Sequence, residues 1–263
     1  MGRGVFENRL NMNRKAGKTI KNTKNSKNSR NRFAVVIPVY NHAATVVQVV
    51  RQVQNLGYPV FVVDDGSTDE TPQRLAEMKG ITVLHHSINE GKGAAILTGF
   101  MAASHVADFA ITLDADGQHY PEDVLKLISA IPAKKRPIVI GTREGMTTLQ
   151  ENHAPWTSRF GRKFSNFWVR MSGGPKLSDS QSGMRIYPLP ESMSLGVRAR
   201  RFQFEVEILV LAHKRGIPII EEPVRVFYGP DGSRVSHFRP FVDFLRNSKT
   251  FTRLIFSRIF FRH

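Results

Sequence analysis

Two carboxylates, Asp114 and Asp116, stand one residue apart in LDADGQH, directly after an apolar run and shortly before Gln118. In an extended segment residues two apart point to the same side, so both acids can face one ligand or one hard divalent cation. A magnesium-type ion takes one or two protein carboxylates and fills its shell with water and phosphate oxygens. Two acids and an amide therefore suit a metal-bound diphosphate. A solvated turn is the plainer reading of DADG, because Asp and Gly are turn formers. Position argues against it: Asp64 and Asp65, in VVDDGSTDET, end another apolar run in the same way. Beyond them Ser67 or Asp69 suits a helix N-cap and Glu70 the positive end of the helix. Capping leaves Asp64 and Asp65 unexplained, and a carboxylate at a strand tip can accept hydrogen bonds from a base N–H or a ribose hydroxyl.

Other chemistries find little support. NEGKGAAI lacks the spacing of a phosphate-binding P-loop and reads as a glycine-eased helix entry, with Lys92 near a diphosphate as the sharper alternative. His85, His86, His119 and His153 show no zinc spacing and read as loop residues. No G-x-S-x-G nucleophile elbow occurs. There is no cysteine, which excludes a thiolate nucleophile and a disulfide framework and fits a reducing compartment.

The elements that must position these acids alternate. FAVVIPVY, PVFVVDD, ITVLHH and FAITLDADGQH read as strands, separated by helices over AATVVQVVRQVQNL, ETPQRLAEMK and GKGAAILTGFMAASH. Nearly continuous apolar strands alternating with helices predict an α/β fold with a mainly parallel sheet flanked by helices, in which ligands sit beyond the carboxyl ends of the strands. The acids fall at those ends. After PEDVLKLISAI and RPIVIGTR the alternation weakens: WTSRFGRKFSNFWVRMS reads as a helix with aromatic and basic faces, a polar loop leads into GMRIYPL, and FQFEVEILVLAHKRG with IPIIEEPVRVFY closes the domain.

The chain has 263 residues and a net charge of +16. Residues 1–32 contribute +9 and residues 239–263 contribute +5, which leaves +2 between them. The charge sits in the tails, which argues against a nucleic-acid-binding domain. Residues 1–32 form a Lys/Asn/Ser-rich stretch expected to be a disordered basic arm. Residues 33–238 are the expected domain. Residues 239–263 intersperse Phe, Leu and Ile with cations, the composition of a basic amphipathic helix at an anionic membrane surface, the alternative being a terminal helix packed on the domain. No stretch reaches the roughly 18 apolar residues of a spanning helix. The expected location is cytoplasmic, peripheral on the inner membrane face.

VIPVYNH, VVDDGSTDET, NEGKGAAI, DADGQHYPED, IGTR and DSQSGMRIYP, in this order, resemble family 2 glycosyltransferases of the GT-A fold, and within them the dolichyl- or polyprenyl-phosphate sugar synthases. The resemblance implies that Pro38, Tyr40, Val63 and Asp65 hold the nucleotide. It implies that Asp114, Ala115 and Asp116, with Gln118, bind Mg2+ or Mn2+ and the donor diphosphate. Arg143 and Arg185 match arginines near phosphate groups, and Arg234 matches a basic residue on a loop. Where that subgroup has Glu in P-x-Y-N-E, this chain has His42.

The implied reaction moves a sugar from a GDP- or UDP-sugar to a lipid acceptor, with Asp116, Arg143 and Arg185 as the catalytic set. A polyprenyl phosphate acceptor is already ionised and needs no strong base; Arg185 with Arg159, Arg162 or Lys163 is expected to hold it. A hydroxyl of a lipid or glycan would need a base, for which Glu205 or Glu207 is the candidate; two apart on a helix, only one can reach the site. The remaining alternative is a basic nucleic-acid-associated protein with a nucleotide-binding fold.

Overall fold

A computed structural model of the chain describes residues 31–143, 156–227, 250–252 and 254, without the side chains of 156–160. The strands are β1 (Phe33–Val39), β2 (Val60–Asp64), β3 (Thr82–His85), β4 (Phe109–Thr112), β5 (Ile138–Thr142), β6 (Arg185–Pro188) and β7 (Ile219–Pro223). The helices are α1 (Val46–Gln54), α2 (Thr71–Ala76), α3 (Lys92–Ala103), α4 (Val124–Ser129), α5 (Trp156–Met171), α6 (Leu189–Met193) and α7 (Phe204–Lys214), with a 3-10 turn at Pro121–Asp123 before α4.

The strands form one sheet in the order β3-β2-β1-β4-β6-β5-β7. All neighbouring pairs are parallel except those made by β6, which runs antiparallel to β4 and β5. The predicted mainly parallel sheet is therefore present, with one reversed strand where the sequence alternation weakens. Strand periodicity splits the core. Val35, Ile37 and Val39 of β1 join Val46, Val49, Val50 and Val53 of α1 and Leu127 of α4 on one face. Ala34 and Val36 join Ala95, Ile96, Phe100 and Ala103 of α3 and Phe204, Ile208 and Leu209 of α7 on the other. Contact between α3 and β1 is close: a Cβ at Gly99 would lie 2.2 Å from Val36 Cγ1.

At the ends of the domain, the boundary drawn at residue 33 falls just after Arg32, whose amide and guanidinium both reach the Asp108 carboxylate at 2.9 Å. The rest of the expected N-terminal arm lies outside the described residues. So does most of 239–263, but Phe251 and Leu254 are buried against Val169, Val206 and Val210. Phe251 stacks on Trp168 with ring centroids 5.7 Å apart. At these two positions the tail's apolar side faces the domain. Among the described residues no helix is long and apolar enough to cross a membrane.

Candidate active site

The register of the sheet assembles the site. Pro38 pairs with Val63 and Val39 with Asp64 across β1 and β2, so the expected nucleotide-holding residues Pro38, Tyr40, Val63 and Asp65 lie side by side at two adjacent carboxyl ends. The loops that follow are tied together. Asn41, with φ of 53°, receives the Thr68 amide on its side-chain carbonyl at 2.7 Å and donates its own amide to Ser67 Oγ at 2.9 Å. Asp69 accepts the amides of Thr71 at 2.9 Å and Ala43 at 3.1 Å. Burial opposes its ionisation, but the bonds from Thr71 and Ala43 hold its carboxyl below the usual range. Ser67 and Asp69 thus pin the loop after β2 to the loop after β1, whereas the N-cap position of α2 is Glu70, which makes no side-chain cap hydrogen bond.

Asp64 and Asp65 are only 3% and 2% exposed. Asp65 accepts the amides of Glu90 at 2.9 Å and Gly91 at 2.7 Å, and His86 Nδ1 lies 2.7 Å away. Asp64 accepts the Ser67 amide at 3.1 Å and sits 3.2 Å from His85 Nδ1. Their carboxylates therefore order the loops at the strand tips, and the two histidines read as plain loop residues are their partners. His86 also reaches Thr98 Oγ1 of α3 at 2.9 Å.

The D-x-D segment follows β4. Ala115 is buried, its carbonyl accepting Thr45 Oγ1 at 2.6 Å. This anchors the turn, and the two acids part company around it. Asp114 turns toward Lys92 Nζ, 2.6 Å away, and lies against Gly183, where a Cβ would fall 2.1 Å from its Oδ2. Lys92 Nζ also meets Glu205 Oε1 of α7 at 2.5 Å. Burial favours a neutral Asp114, but Lys92 and then His119, with a smaller contribution from His42, hold its carboxyl at about 2. Burial pushes the Glu205 carboxyl up against the pull of Lys92 and Arg185. Asp116 is different: its Oδ1 accepts the Gln118 amide at 3.0 Å, and among the described residues it makes no ion pair.

His119 belongs to this cluster, which its sequence context did not reveal. It bridges to Val226, and Phe227 donates its amide to Gln118 O at 2.8 Å, so the segment after β7 closes over the D-x-D turn. Burial lowers the His119 pKa, opposed by Asp114 and Asp116 and reinforced by Arg143 and Lys92. Its Nδ1 is buried and has no hydrogen-bond partner among the described residues.

The two arginines end in different places. Arg143, at the end of β5, forks onto Asp179 with Nε to Oδ2 at 2.5 Å and a second bond at 2.7 Å. Asp179 is held in turn: its amide and that of Ser178 go to Glu221 of β7, while Asn166 of α5 binds the Ser178 carbonyl and the Ser180 amide. Arg185 is 0% exposed, because β6 lies between β4 and β5. Its donors go to the carbonyls of Ser182, Glu205 and Ser180 at 2.7 to 2.8 Å and to the Tyr187 hydroxyl at 3.2 Å. That arrangement fixes the 180–183 loop and the start of α7. Glu207 accepts the amides of Arg198 and Ala199, so of the two helical acids Glu205 is the one that faces the site. Arg234 and His153 lie outside the described residues, as does the Arg159 side chain.

A three-layer α/β fold with acidic loops gathered at the carboxyl ends of a mainly parallel sheet is the GT-A architecture. The chain belongs to glycosyl transferase family 2, whose family model matches residues 34–187. It is 31% identical over 214 residues to the UDP-N-acetylglucosamine–dolichyl-phosphate N-acetylglucosaminyltransferase of Methanococcus voltae, covering 74% of this chain and 85% of that one. It is 29% identical over 204 residues to the polyprenol monophosphomannose synthase of Mycolicibacterium smegmatis, covering 73% and 76%. Among solved structures it resembles a mannosyltransferase from Pyrobaculum calidifontis in complex with GDP-Man and Mn2+, with a TM-score of 0.55 at 17% identity, over 98% of this chain and 72% of that one. The protein is a glycosyltransferase, and the nucleic-acid alternative falls away.

Proposed function

We propose that this enzyme transfers a sugar from a nucleotide-diphosphate donor, a GDP- or UDP-sugar, to a polyprenyl phosphate, with inversion, at the cytoplasmic face of a membrane. The observation that supports the choice of acceptor is that, among the described residues, the acids that could serve as a base beside the site are engaged by internal partners, Asp116 being reserved for the metal. Glu205 is bound by Lys92, Glu207 by two backbone amides, and Asp179 by Arg143. The Nδ1 of His119 is itself buried. A hydroxyl would need one of these groups to take its proton; a phosphate oxygen, ionised near neutral pH, needs none. The relatives named for dolichyl phosphate and polyprenol phosphate point the same way.

The residues present fit a divalent ion of the Mg2+ or Mn2+ type in one specific manner. No group of three His, Asp or Glu side chains among the described residues can hold a metal alone. Asp116, half-buried and without an ion pair, offers one carboxylate at the strand end, which suits a hard cation that completes its shell with diphosphate oxygens and water. Asp116 with Gln118 would hold it. When bound, such an ion neutralises charge developing on the departing nucleoside diphosphate. Arg143, braced by Asp179, adds a fixed cation to the same region, Pro38, Tyr40 and Val63 line the nucleotide side, and Asp65 and Arg185 hold the surrounding loops in place. Anionic headgroups remain the proposed partner of the basic tail.

The test is transfer from a panel of GDP- and UDP-sugars to a short polyprenyl phosphate, with Asp116→Asn alongside. We expect product only with phosphate-bearing lipid and a loss of at least a hundredfold in the variant, on the order of an interaction realised at the reacting charge. Transfer to the matching polyprenol but not its phosphate, or full turnover by the variant, overturns the reading.

A further inference from the structure

The ammonium of Lys92 stands where a cation is needed by two carboxylates at once. It lies 2.6 Å from Asp114 and 2.5 Å from Glu205, and its side chain is 17% exposed. Lys92 is therefore the cation that an ion binding at Asp114 Oδ1 would have to displace. Gly183 packs closely on the same carboxylate, since a Cβ there would fall 2.1 Å from Oδ2. Asp116 accepts the Gln118 amide at Oδ1 and has no ion-paired cation among the described residues.

We propose that Lys92, anchored by Glu205, is a built-in counter-cation for Asp114 that leaves the divalent ion to Asp116 and the incoming diphosphate. This rests on the reading of Asp116 as the metal-holding acid and specifies how the other acid of the pair is used. A site with one open carboxylate binds a hard cation weakly, because affinity rises with the number of charged ligands. The ion then enters with the nucleotide, which supplies the missing oxygens. Asp114 keeps its charge and shapes the field at the site without ligating, and Lys92 and Glu205 are positioning residues.

The experiment measures binding of Mn2+ alone to the full-length protein, from the free-ion electron paramagnetic resonance signal, and again with GDP or UDP present. Removing Lys92 by itself would leave Asp114 and Glu205 facing each other, so the informative protein is the double variant Lys92→Met/Glu205→Gln. It removes one positive and one negative charge together and frees Asp114 at unchanged net charge. Its affinity for Mn2+ without nucleotide should rise roughly tenfold, the effect of adding a carboxylate ligand, while Lys92→Arg, which keeps the cation, should match the wild type. Wild-type affinity in the folded double variant overturns the proposal. A second measurement stands independently of that variant's folding: with Mn2+ and nucleotide, Asp114→Asn should lose far less metal affinity than Asp116→Asn. Equal losses in the two make Asp114 a ligand and sink the inference, whereas retention of metal by Asp116→Asn sinks the reading of Asp116 instead.

Discussion

Gly183→Ala is the sharpest probe of the site, because the structure fixes what the added methyl must meet. A Cβ there would lie 2.1 Å from Oδ2, 2.4 Å from Cγ and 2.5 Å from Oδ1 of Asp114. An ordinary carbon–oxygen contact is about 3.3 Å, so the carboxylate must retreat by about 1.2 Å or residue 183 must move. The backbone is poorly placed to yield. The Gly183 carbonyl accepts Thr112 Oγ1 at 3.0 Å, the Ser182 carbonyl accepts Arg185 Nε at 2.7 Å, and the Met184 carbonyl accepts the Gly141 amide at 2.9 Å. Asp114 is thus expected to move, pulling away from Lys92 and disturbing the turn that carries Asp116. A misplacement of about 1 Å in a catalytic array costs on the order of a hundredfold, which is about 2.7 kcal/mol in kcat/KM. Overpacking itself costs about 1–3 kcal/mol of stability. Initial rates at varied donor, with melting curves on the same preparations, separate the two effects. A variant that melts like the wild type and keeps kcat/KM within twofold would show that the close packing of Asp114 on Gly183 is not a constraint on the site.

Three further outcomes follow from the same contacts. Burial opposes ionisation of Asp179, but Arg143 holds its carboxyl below the ordinary value of 3.8; the stability this contributes is full above the unfolded pKa and lost as pH falls through the folded one. Urea titrations below pH 4 should therefore show a shallower acid loss in Asp179→Asn than in the wild type, and parallel curves would refute it. Phe251→Ala should lower unfolding free energy by about 3 kcal/mol through loss of a buried ring, measured in denaturant, whereas no change would mean that the tail contact with Trp168 and Val169 is not formed in solution. Chelation with EDTA should weaken calorimetric binding of the donor nucleotide at least tenfold, the oxygens of the diphosphate having lost their shared cation; unchanged binding would remove the metal from donor recognition.

Much of this arrangement was legible in the sequence, and the rest was not for identifiable reasons. Apolar runs of four to seven residues alternating with helical spacing define the sheet, and acids just past those runs locate its working edge. What periodicity cannot convey is which way a strand runs. Nor does periodicity show that β6 lies between β4 and β5, which buries Arg185 of SGMR among carbonyl partners. Nor does a strand-tip acid announce its partner. Asp65 looks available until the 86–91 segment folds over it and supplies two amides and an imidazole. The Lys92–Glu205 contact joins residues 113 positions apart, and neither NEGKGAAI nor FQFEVEIL contains a sign of the other.

The way the charges pair off bears on how an acidic site would suit the proposed anionic donor. Lys92 is matched to Asp114 and Glu205, Arg143 to Asp179, and Arg185 to carbonyl dipoles. These buried cations are held by internal partners, and the domain between the tails carries a net charge of only +2. A diphosphate arriving at the carboxyl ends of β1, β2 and β4 would therefore find Lys92, Arg143 and Arg185 already engaged. Asp116 in isolation would repel it. With a divalent ion the sign reverses, since one carboxylate leaves the cation with positive charge to spare for the phosphate oxygens. On the proposed reading the domain recognises the donor together with its metal, and the strong positive charge concentrated in the tails suits the proposed anionic lipid surface.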